Sequence, residues 1–204
     1  MSGSAPTPIV DGRRQRSERT RQFIIEAYLA LLRDNPRIPT SNEIAERAGY
    51  SVRSVFERFP DLLSLRIAAT DHAFALGSAQ AMIRDADADR TTRIRSQVET
   101  RAHICENWLP LWRALNANQG ESTELKMRIA LVREAIWKRL EIMYRPELSG
   151  LDEGRRRHML IALEAITDFE SWGRMREGNG LNVEQACAVW IKAIDRLLPP
   201  TPAT

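Results

Sequence analysis

Apolar residues recur every three or four positions along most of this chain, which is the spacing of helices. No stretch alternates apolar and polar residues over the length of a strand, so the pattern predicts an all-α protein. Polar segments and glycine or proline residues separate the helices. About nine helices are predicted, over residues 17–33, 41–48, 52–59, 62–84, 91–106, 109–118, 122–144, 152–177 and 183–198.

Residues 40–60 contain two short amphipathic helices joined by a tight turn. Thr40 and Glu43 have the spacing of a capping box, so a helix is expected to start just after Thr40. Gly49 stands where a left-handed residue ends that helix, and Ser51 is placed to cap the next one. Two helices joined so closely must cross steeply. That is the geometry of a helix-turn-helix, whose second helix enters the major groove of DNA.

The runs EIAERAGYS and VFERF in this segment resemble the DNA-binding domain of TetR-family transcriptional regulators. The resemblance extends from about Arg19 to about Phe74, and beyond that only helix number and length are similar. It implies an N-terminal three-helix DNA-binding domain and a larger C-terminal helical domain for effector binding and dimerisation. An ordinary helical hairpin is the alternative. The expected organisation is a disordered basic leader (1–16), the helix-turn-helix domain (17–60), a connecting helix (61–85), the effector-binding and dimerisation domain (86–199) and a tail (200–204).

The resemblance and the helix geometry together indicate which side chains face DNA. They are Arg19, Arg21, Thr40, Ser51, Val52, Arg53, Ser54, Phe56 and Arg58. The chain also departs from the family pattern. Val52 and Leu62 stand where many members carry lysines, and Phe56 stands where they carry a tyrosine. Base reading is therefore expected to fall on Arg53 and Ser54, with the arginines near the N-terminus offsetting the missing contacts.

The charge distribution supports this interpretation modestly. Residues 1–60 hold ten arginines and seven acidic residues, and the whole chain has a formal net charge of +3, so the entire excess lies in the proposed DNA-binding part. Five of these arginines fall within residues 13–21, where they could bind phosphates or enter a narrow minor groove. A solvated leader without DNA contacts is the alternative for Arg13, Arg14 and Arg16.

The middle helices are the candidate sensor of a small-molecule effector. Trp108 and Trp112 lie four residues apart and share a helix face, and Pro110 between them is expected to break or kink the helix and open space. A pocket of the usual mostly apolar type is then expected to be lined by Phe74, His103, Asn107, Trp108, Trp112, Trp137 and Met143. Ordinary core packing is the alternative for each of these residues.

The last two predicted helices carry more apolar surface than a terminal hairpin readily buries within one chain. In the resembling family, two such helices from each subunit form a four-helix bundle, which implies a homodimer. The expected interface residues are Ile166, Phe169, Val189, Trp190, Ile194 and Leu197. The alternative is that both helices only cover the core of their own domain.

Other classes of function find no support in the sequence. There is no Walker loop or GxGxxG motif, and the three histidines lack metal-ligand spacing. His103 and Cys105 lie two residues apart on a helix and point in different directions, so they form a poor nucleophile and base pair. No apolar run approaches the roughly 20 residues that span a bilayer. The two solitary cysteines fit a reducing cytoplasm. We expect no enzymatic activity, no cofactor, no metal and no membrane partner.

The sequence thus predicts a cytoplasmic, sequence-specific DNA-binding regulator. Repression is the default mode, with release from a pseudo-palindromic operator when a small apolar or aromatic ligand binds. The alternative is a helical dimer that binds a ligand or partner and has weakened or lost DNA binding, because Val52, Phe56 and Leu62 lack the usual polar groups.

Overall fold

A computed structural model describes residues 10–35 and 37–202, and within these ranges every regular element is a helix. The predicted all-α class is therefore confirmed. The chain divides into two compact units. The N-terminal unit ends at His72, and the C-terminal unit begins at Ala73.

The described residues of the N-terminal unit form four helices, and the last of them continues into the C-terminal unit. These helices are α1 (Val10–Asp34), α2 (Ser41–Ala48), α3 (Val52–Arg58) and α4 (Leu62–Gln80). The apolar core of the unit takes buried side chains from all four. They are Ile24, Tyr28 and Leu32 of α1, Ile44 of α2, Val55 of α3, and Leu65 and Ala69 of α4.

Helix α1 begins at Val10 and not at residue 17, where the sequence pattern starts it. The pattern places residues 10–16 in a disordered leader because they lack an apolar periodicity, but their arginine and glutamine residues favour a helix. Within this part, Arg16 Nε donates a hydrogen bond to the Gly12 carbonyl oxygen at 3.0 Å. Residues 1–9, the rest of the predicted leader, lie outside the described residues.

The C-terminal unit is organised around one long helix. Its helices are α5 (Arg90–Ala117), α6 (Thr123–Met143), α7 (Arg145–Leu148), α8 (Glu153–Ile166), α9 (Phe169–Gly173) and α10 (Val183–Leu197). A 3₁₀ turn over Gln119–Glu121 precedes α6, and a π-helical turn over Arg174–Gly178 follows α9. The helices after α3 differ from the prediction in four respects, the first being that α4 ends at Gln80 and not near residue 84. The helices expected at 91–106 and 109–118 are both part of α5, the helix expected at 152–177 is divided, and the short α7 has no predicted counterpart.

The predicted helix break at Pro110 is wrong, because α5 continues through this residue. Proline removes one backbone donor and its ring crowds the preceding turn, which normally ends or kinks a helix. On either side of it, however, Leu109 and Leu111 are both buried. Their packing outweighs the loss of one backbone hydrogen bond, as tertiary contacts commonly override local preference.

The helix predicted at 152–177 ends early because two neighbouring residues satisfy backbone groups locally. The Thr167 hydroxyl donates to the Leu163 carbonyl oxygen at 2.6 Å. The Asp168 carboxylate then accepts from the Ser171 amide at 2.6 Å and caps α9. Such side-chain bonds to the backbone compete with helix continuation. The result is a break between α8 and α9 at residues 167–168.

A row of polar side chains on α5 points into the C-terminal unit. The α5 polar row consists of Arg90, Arg93, Gln97 and Arg101, which lie three or four residues apart and so share one helix face. Arg93, Gln97 and Arg101 are buried. The sequence pattern does not predict this burial, because charged residues at helical spacing normally mark a solvent-exposed face.

Two arginines of this row fix the C-terminal end of the chain. Arg90 Nε donates to Asp195 Oδ1 at 3.0 Å, and its Nη atoms donate to carbonyl oxygens of the last turn of α10 and the segment after it. Arg93 forms an ion pair with Glu147 of α7, whose side chain is completely buried. The same carboxylate accepts a hydrogen bond from the Thr201 hydroxyl. The charges thus tie α5, α7 and the C-terminal segment together.

The other two members of the row reach α6 and the break between α8 and α9. Gln97 Oε1 accepts from Arg139 Nε of α6 at 2.5 Å. Arg101 Nε donates to the Thr167 carbonyl oxygen at 2.8 Å, and its guanidinium carbon lies 4.5 Å from the centre of the Phe169 ring. This arrangement combines a hydrogen bond with a cation–π contact.

Replacement of Glu147 by alanine is expected to destabilise the protein strongly. The change leaves the Arg93 guanidinium buried without its anion, which costs about 3–5 kcal/mol. Urea denaturation followed by circular dichroism measures the free energy of unfolding. Glu134→Ala, which removes an exposed carboxylate from α6, is the control and should change stability by no more than about 0.5 kcal/mol. Equal losses in the two variants would contradict this account of the pair.

Candidate nucleic-acid interface

The turn between α2 and α3 has the local structure predicted for a helix-turn-helix. The Thr40 hydroxyl accepts from the Glu43 amide at 3.4 Å, and the Glu43 carboxylate accepts from the Thr40 amide at 2.8 Å, which together form the capping box. Gly49 ends α2 with a φ of 74°, a left-handed conformation that glycine adopts without a steric penalty. The Ser51 hydroxyl accepts from the Ser54 amide at 3.1 Å and caps α3.

An arginine outside the predicted DNA-facing set strengthens the capping box. Arg37 contacts both carboxylate oxygens of Glu43, one of them at 3.1 Å from Nη1. The Thr40 hydroxyl also donates to the same carboxylate at 2.8 Å. The bonds from Arg37 and Thr40 lower the pKa of Glu43 from its usual 4.5 to about 2. No spacing rule links Arg37 to Glu43, because the turn after α1 brings them together.

The N-terminal half of α3 presents the predicted base-reading residues to solvent. The Arg53 side chain is 89% exposed, and its Nε donates to Glu57 Oε1 one turn later at 3.0 Å. The Ser51 and Ser54 hydroxyl oxygens are 3.0 Å apart at the start of the helix. Phe56 is also exposed. This surface therefore combines one long cation, two hydroxyls and an aromatic ring.

The remaining predicted DNA-facing arginines lie against aromatic rings or are partly covered. The Arg19 guanidinium is 5.5 Å from the centre of the Phe23 ring, and that of Arg21 is 5.0 Å from the Phe59 ring. Arg58 is less accessible, with a side-chain exposure of 29%. Its Nε is buried and has no partner among residues 10–35 and 37–202. Of the predicted arginines, Arg58 has the least freedom to reach DNA.

The three tryptophans predicted for the ligand pocket face three different elements. Trp108 lies against α4, where a side-chain carbon at Gly77 would be 3.6 Å from its indole nitrogen. Trp112 stacks on Phe169 of α9 with ring centres 4.8 Å apart. The Trp137 indole nitrogen donates to the Glu164 carboxylate of α8. Because α5 is continuous, Trp108 and Trp112 do share a helix face. The predicted break beside them is absent, and each ring contacts a different neighbour.

The other predicted pocket residues are equally dispersed. His103 is exposed, and its ring nitrogen lies 3.1 Å from the Asn107 side-chain amide, one turn along α5. Phe74 is exposed on α4, and Met143 at the end of α6 is completely buried. Trp112 and Met143 are buried, as the alternative of core packing also expects. The pocket assignment of all seven residues remains a prediction.

Half of the predicted dimer-interface residues are buried by their own chain. Trp190 packs on Trp172 with ring centres 4.8 Å apart, and Ile194 is inaccessible to solvent. Phe169 lies between Trp112 and Arg101. Because an interface residue must be accessible in the free subunit, these assignments need correction. The amphipathic pattern identified the helices but did not separate the residues that face the core from those that face solvent.

A second apolar surface of α8 and α10 is exposed instead. Its large members are Ile161 and Val189, each 45% exposed, and Leu197, 39% exposed. Ile166, also predicted for the interface, is partly exposed near the end of α8. Val189 and Leu197 are thus the predicted interface residues that lie on the accessible side of α10.

Three further properties of the described residues bear on function. No group of three or more histidine, cysteine, aspartate or glutamate side chains within them is placed to hold a metal ion. None of their helices is both long enough and apolar enough to cross a bilayer. Burial raises the pKa of the Cys105 thiol to about 11, so this cysteine is not an activated nucleophile.

Two solved structures resemble this chain over most of its length. A TetR-family transcriptional regulator from Streptomyces coelicolor has a TM-score of 0.70 and 18% identity, and the match covers 88% of this chain and 80% of that one. A candidate TetR-family transcriptional regulator from Rhodococcus sp. has a TM-score of 0.63 and 19% identity, over 88% of this chain and 98% of its own. No protein-family model and no curated protein matches the sequence. The likeness establishes the fold, and it confirms the fold that the N-terminal sequence predicts.

The Glu43 ion pair is expected to make stability depend on pH in acid. Since the folded pKa of about 2 lies below the usual 4.5, the contribution of this carboxylate is complete above about pH 4.5 and is lost as the pH falls through about 2. Urea midpoints of the wild type and Glu43→Gln, measured from about pH 6 to about pH 2, should therefore converge on acidification. Glu46→Gln, an exposed position on the same helix, should follow the wild-type profile. A constant difference between the wild type and Glu43→Gln would disprove the ion-pair role.

Proposed function

We propose that this chain, which has the fold of TetR-family transcriptional regulators, is a sequence-specific DNA-binding regulator of transcription. The observation that carries the proposal is the exposed first turn of α3, where Arg53 extends into solvent beside the Ser51 and Ser54 hydroxyls. In a helix-turn-helix this part of the second helix enters the major groove. An arginine there can donate two hydrogen bonds to a guanine edge.

Different residues would position the protein and read the sequence. Arg19 and Arg21 lie in the middle of α1, and Arg37 lies between α1 and α2. All three are exposed or partly exposed and are suited to phosphate contacts. Arg53 and Ser54 would read base edges, and the apolar side chains of Val52 and Phe56 could contact a thymine methyl group. Thr40 is a weaker candidate than the sequence suggests. Its hydroxyl already donates to Glu43, which leaves it only as an acceptor and unable to donate to a phosphate.

We further propose that the protein is a homodimer that uses the exposed apolar surface of α8 and α10. Ile161, Val189 and Leu197 belong to two adjacent helices and would be covered by the same residues of a second copy in an isologous interface. A two-fold axis then requires a pseudo-palindromic operator. Its half-sites would be separated by about one DNA turn, roughly 10 base pairs, or a multiple of it.

The proposed regulator acts in the cytoplasm as a repressor that a small-molecule effector releases from DNA. Helix α4 belongs to both units and is the covalent route by which an effector in the C-terminal unit can influence the DNA-binding unit. Effector and operator must weaken each other's binding by the same factor, because coupling free energy is reciprocal. The alternative function, a dimer without DNA binding, rests on the missing polar groups at Val52, Phe56 and Leu62.

Fluorescence anisotropy with DNA tests the function and the role of Arg53 together. The wild-type protein should enrich a preferred duplex from a random pool, and its affinity for that duplex should fall as salt is raised. Arg53→Ala should cost roughly 1–3 kcal/mol on the enriched duplex and little on random DNA. Equal losses of binding free energy on the enriched duplex and on random DNA would show that Arg53 contacts only phosphate. Failure to enrich any duplex at low salt would favour the alternative function.

Glu57→Ala is the matched control for this measurement. It removes the carboxylate that holds Arg53 in the free protein and leaves the arginine available. Because a carboxylate near the phosphate backbone is also repelled, this variant should bind DNA at least as tightly as the wild type. Weaker binding by Glu57→Ala would show that the pair positions Arg53 for its contact.

Sedimentation velocity tests the proposed dimer interface. Ile161→Glu combined with Val189→Glu places two carboxylates on each side of the apolar surface and should produce monomers at concentrations where the wild type is dimeric. Leu131→Glu, at a side chain of α6 that is 53% exposed, is the control and should leave the dimer intact. An unchanged dimer in the double variant would move the interface elsewhere.

A further inference from the structure

A buried arginine of the C-terminal unit has an unused donor. Arg139 of α6 is only 8% exposed. Its Nε donates to Gln97 Oε1 at 2.5 Å and its Nη1 to the Ala81 carbonyl oxygen at 2.6 Å, and both acceptors are neutral. Its Nη2 is buried and has no partner in the part of the chain that the structure describes. The guanidinium therefore carries a buried charge without a hydrogen-bonded anion.

Such a charge is costly. A buried ion without a counter-ion loses its hydration and gains little in return. Burial lowers the pKa of Arg139, and the nearby positive charge of Arg84 lowers it further. An arginine nevertheless stays protonated in a protein, so the cost cannot be avoided by losing the proton. Buried, perturbed groups of this kind are candidates for ligand sites.

A second unused donor lies five residues further along the chain. Tyr144, immediately after α6, is completely buried, and its hydroxyl has no partner among the described residues. Burial raises the pKa of Tyr144, and the Arg139 charge opposes that rise, so the two groups are close enough to interact electrostatically. The hydroxyl stays protonated at neutral pH and can donate. Arg139 and Tyr144 thus present two buried donors without a partner among the described residues. Glu147 Oε2 is a buried oxygen without a partner as well, but its carboxylate already serves as the anion of Arg93.

We propose that Arg139 Nη2 and the Tyr144 hydroxyl bind the carboxylate of a small organic acid inside the C-terminal unit. One carboxylate can accept from both donors, and its single negative charge balances the Arg139 guanidinium. An ordered water could satisfy the donors but would not compensate the charge. Binding of such an acid does not depend on the proposed function. Only the further step of identifying the acid as the effector rests on it.

The surroundings favour a monoanion with a hydrocarbon body. Glu147 interacts electrostatically with Tyr144 and is itself buried, so a second negative charge on the ligand would be repelled. This argues for a carboxylate over a phosphate dianion. The chain that supplies the Ala81 carbonyl continues with Met82 and Ile83, which are 63% and 42% exposed. These two side chains offer apolar surface next to the polar donors for the rest of the acid.

Calorimetric titration of the full chain without DNA tests the proposal. Octanoate should bind saturably at constant ionic strength, formate should compete with it at higher concentration, and octanamide and formamide should not bind. Arg139→Gln should weaken octanoate binding at least about tenfold, because a charge-assisted hydrogen bond and the ionic attraction are both lost. Tyr144→Phe, which removes only one oxygen atom, should weaken it roughly threefold to tenfold.

Arg133→Gln is the matched control, since Arg133 lies on the same helix and is exposed. It should bind octanoate as the wild type does. Absence of binding by both carboxylates, equal binding of the amides, or unchanged binding by folded Arg139→Gln and Tyr144→Phe would each overturn the proposal. Because no DNA is present, this result is independent of whether the chain binds an operator.

Discussion

The charges that α5 buries constrain the whole C-terminal unit. Each member of the α5 polar row must find a partner in another element, because a buried polar group without one costs as much as several apolar contacts contribute. Arg90 and Arg93 are satisfied only when α7, α10 and the following segment are in place. Apolar packing alone tolerates many arrangements, but a hydrogen bond requires particular distances and angles. The polar row therefore selects one arrangement of helices among those with similar apolar burial.

The helix-turn-helix could be predicted from sequence because each of its determinants is local. Thr40 and Glu43 are three residues apart, Gly49 needs only its own backbone conformation, and Ser51 caps a helix that begins at the next residue. No distant part of the chain is needed to form these bonds. The prediction of α2 and α3 consequently agrees with the structure almost to the residue.

The C-terminal unit was predicted less well, because the residues whose contacts determine its structure are distant from one another in sequence. Pro110 remains helical only because of side chains packed around it, and the α5 polar row pairs with residues at positions 139, 147, 167 and 195. Amphipathicity identified α10 correctly but could not decide which of its apolar residues face the core. Trp190 and Ile194 are inside, whereas Val189 and Leu197 are outside. When a helix has two apolar sides, the side that faces the core can be identified only if the neighbouring helices are known.

If Arg53 reads a base edge as proposed, its pairing with Glu57 affects how strictly the protein requires that base. An arginine in a closed groove normally makes a wrong base costly, because the mismatch leaves its charge without an acceptor. Here the Glu57 carboxylate, one turn away, can pair with the guanidinium instead. A mismatched base pair then loses one contact, but the Arg53 charge is not left without a partner. Under the proposed function, binding sites would then change at this position over evolution while occupancy declines only gradually, and several related operators could share one regulator.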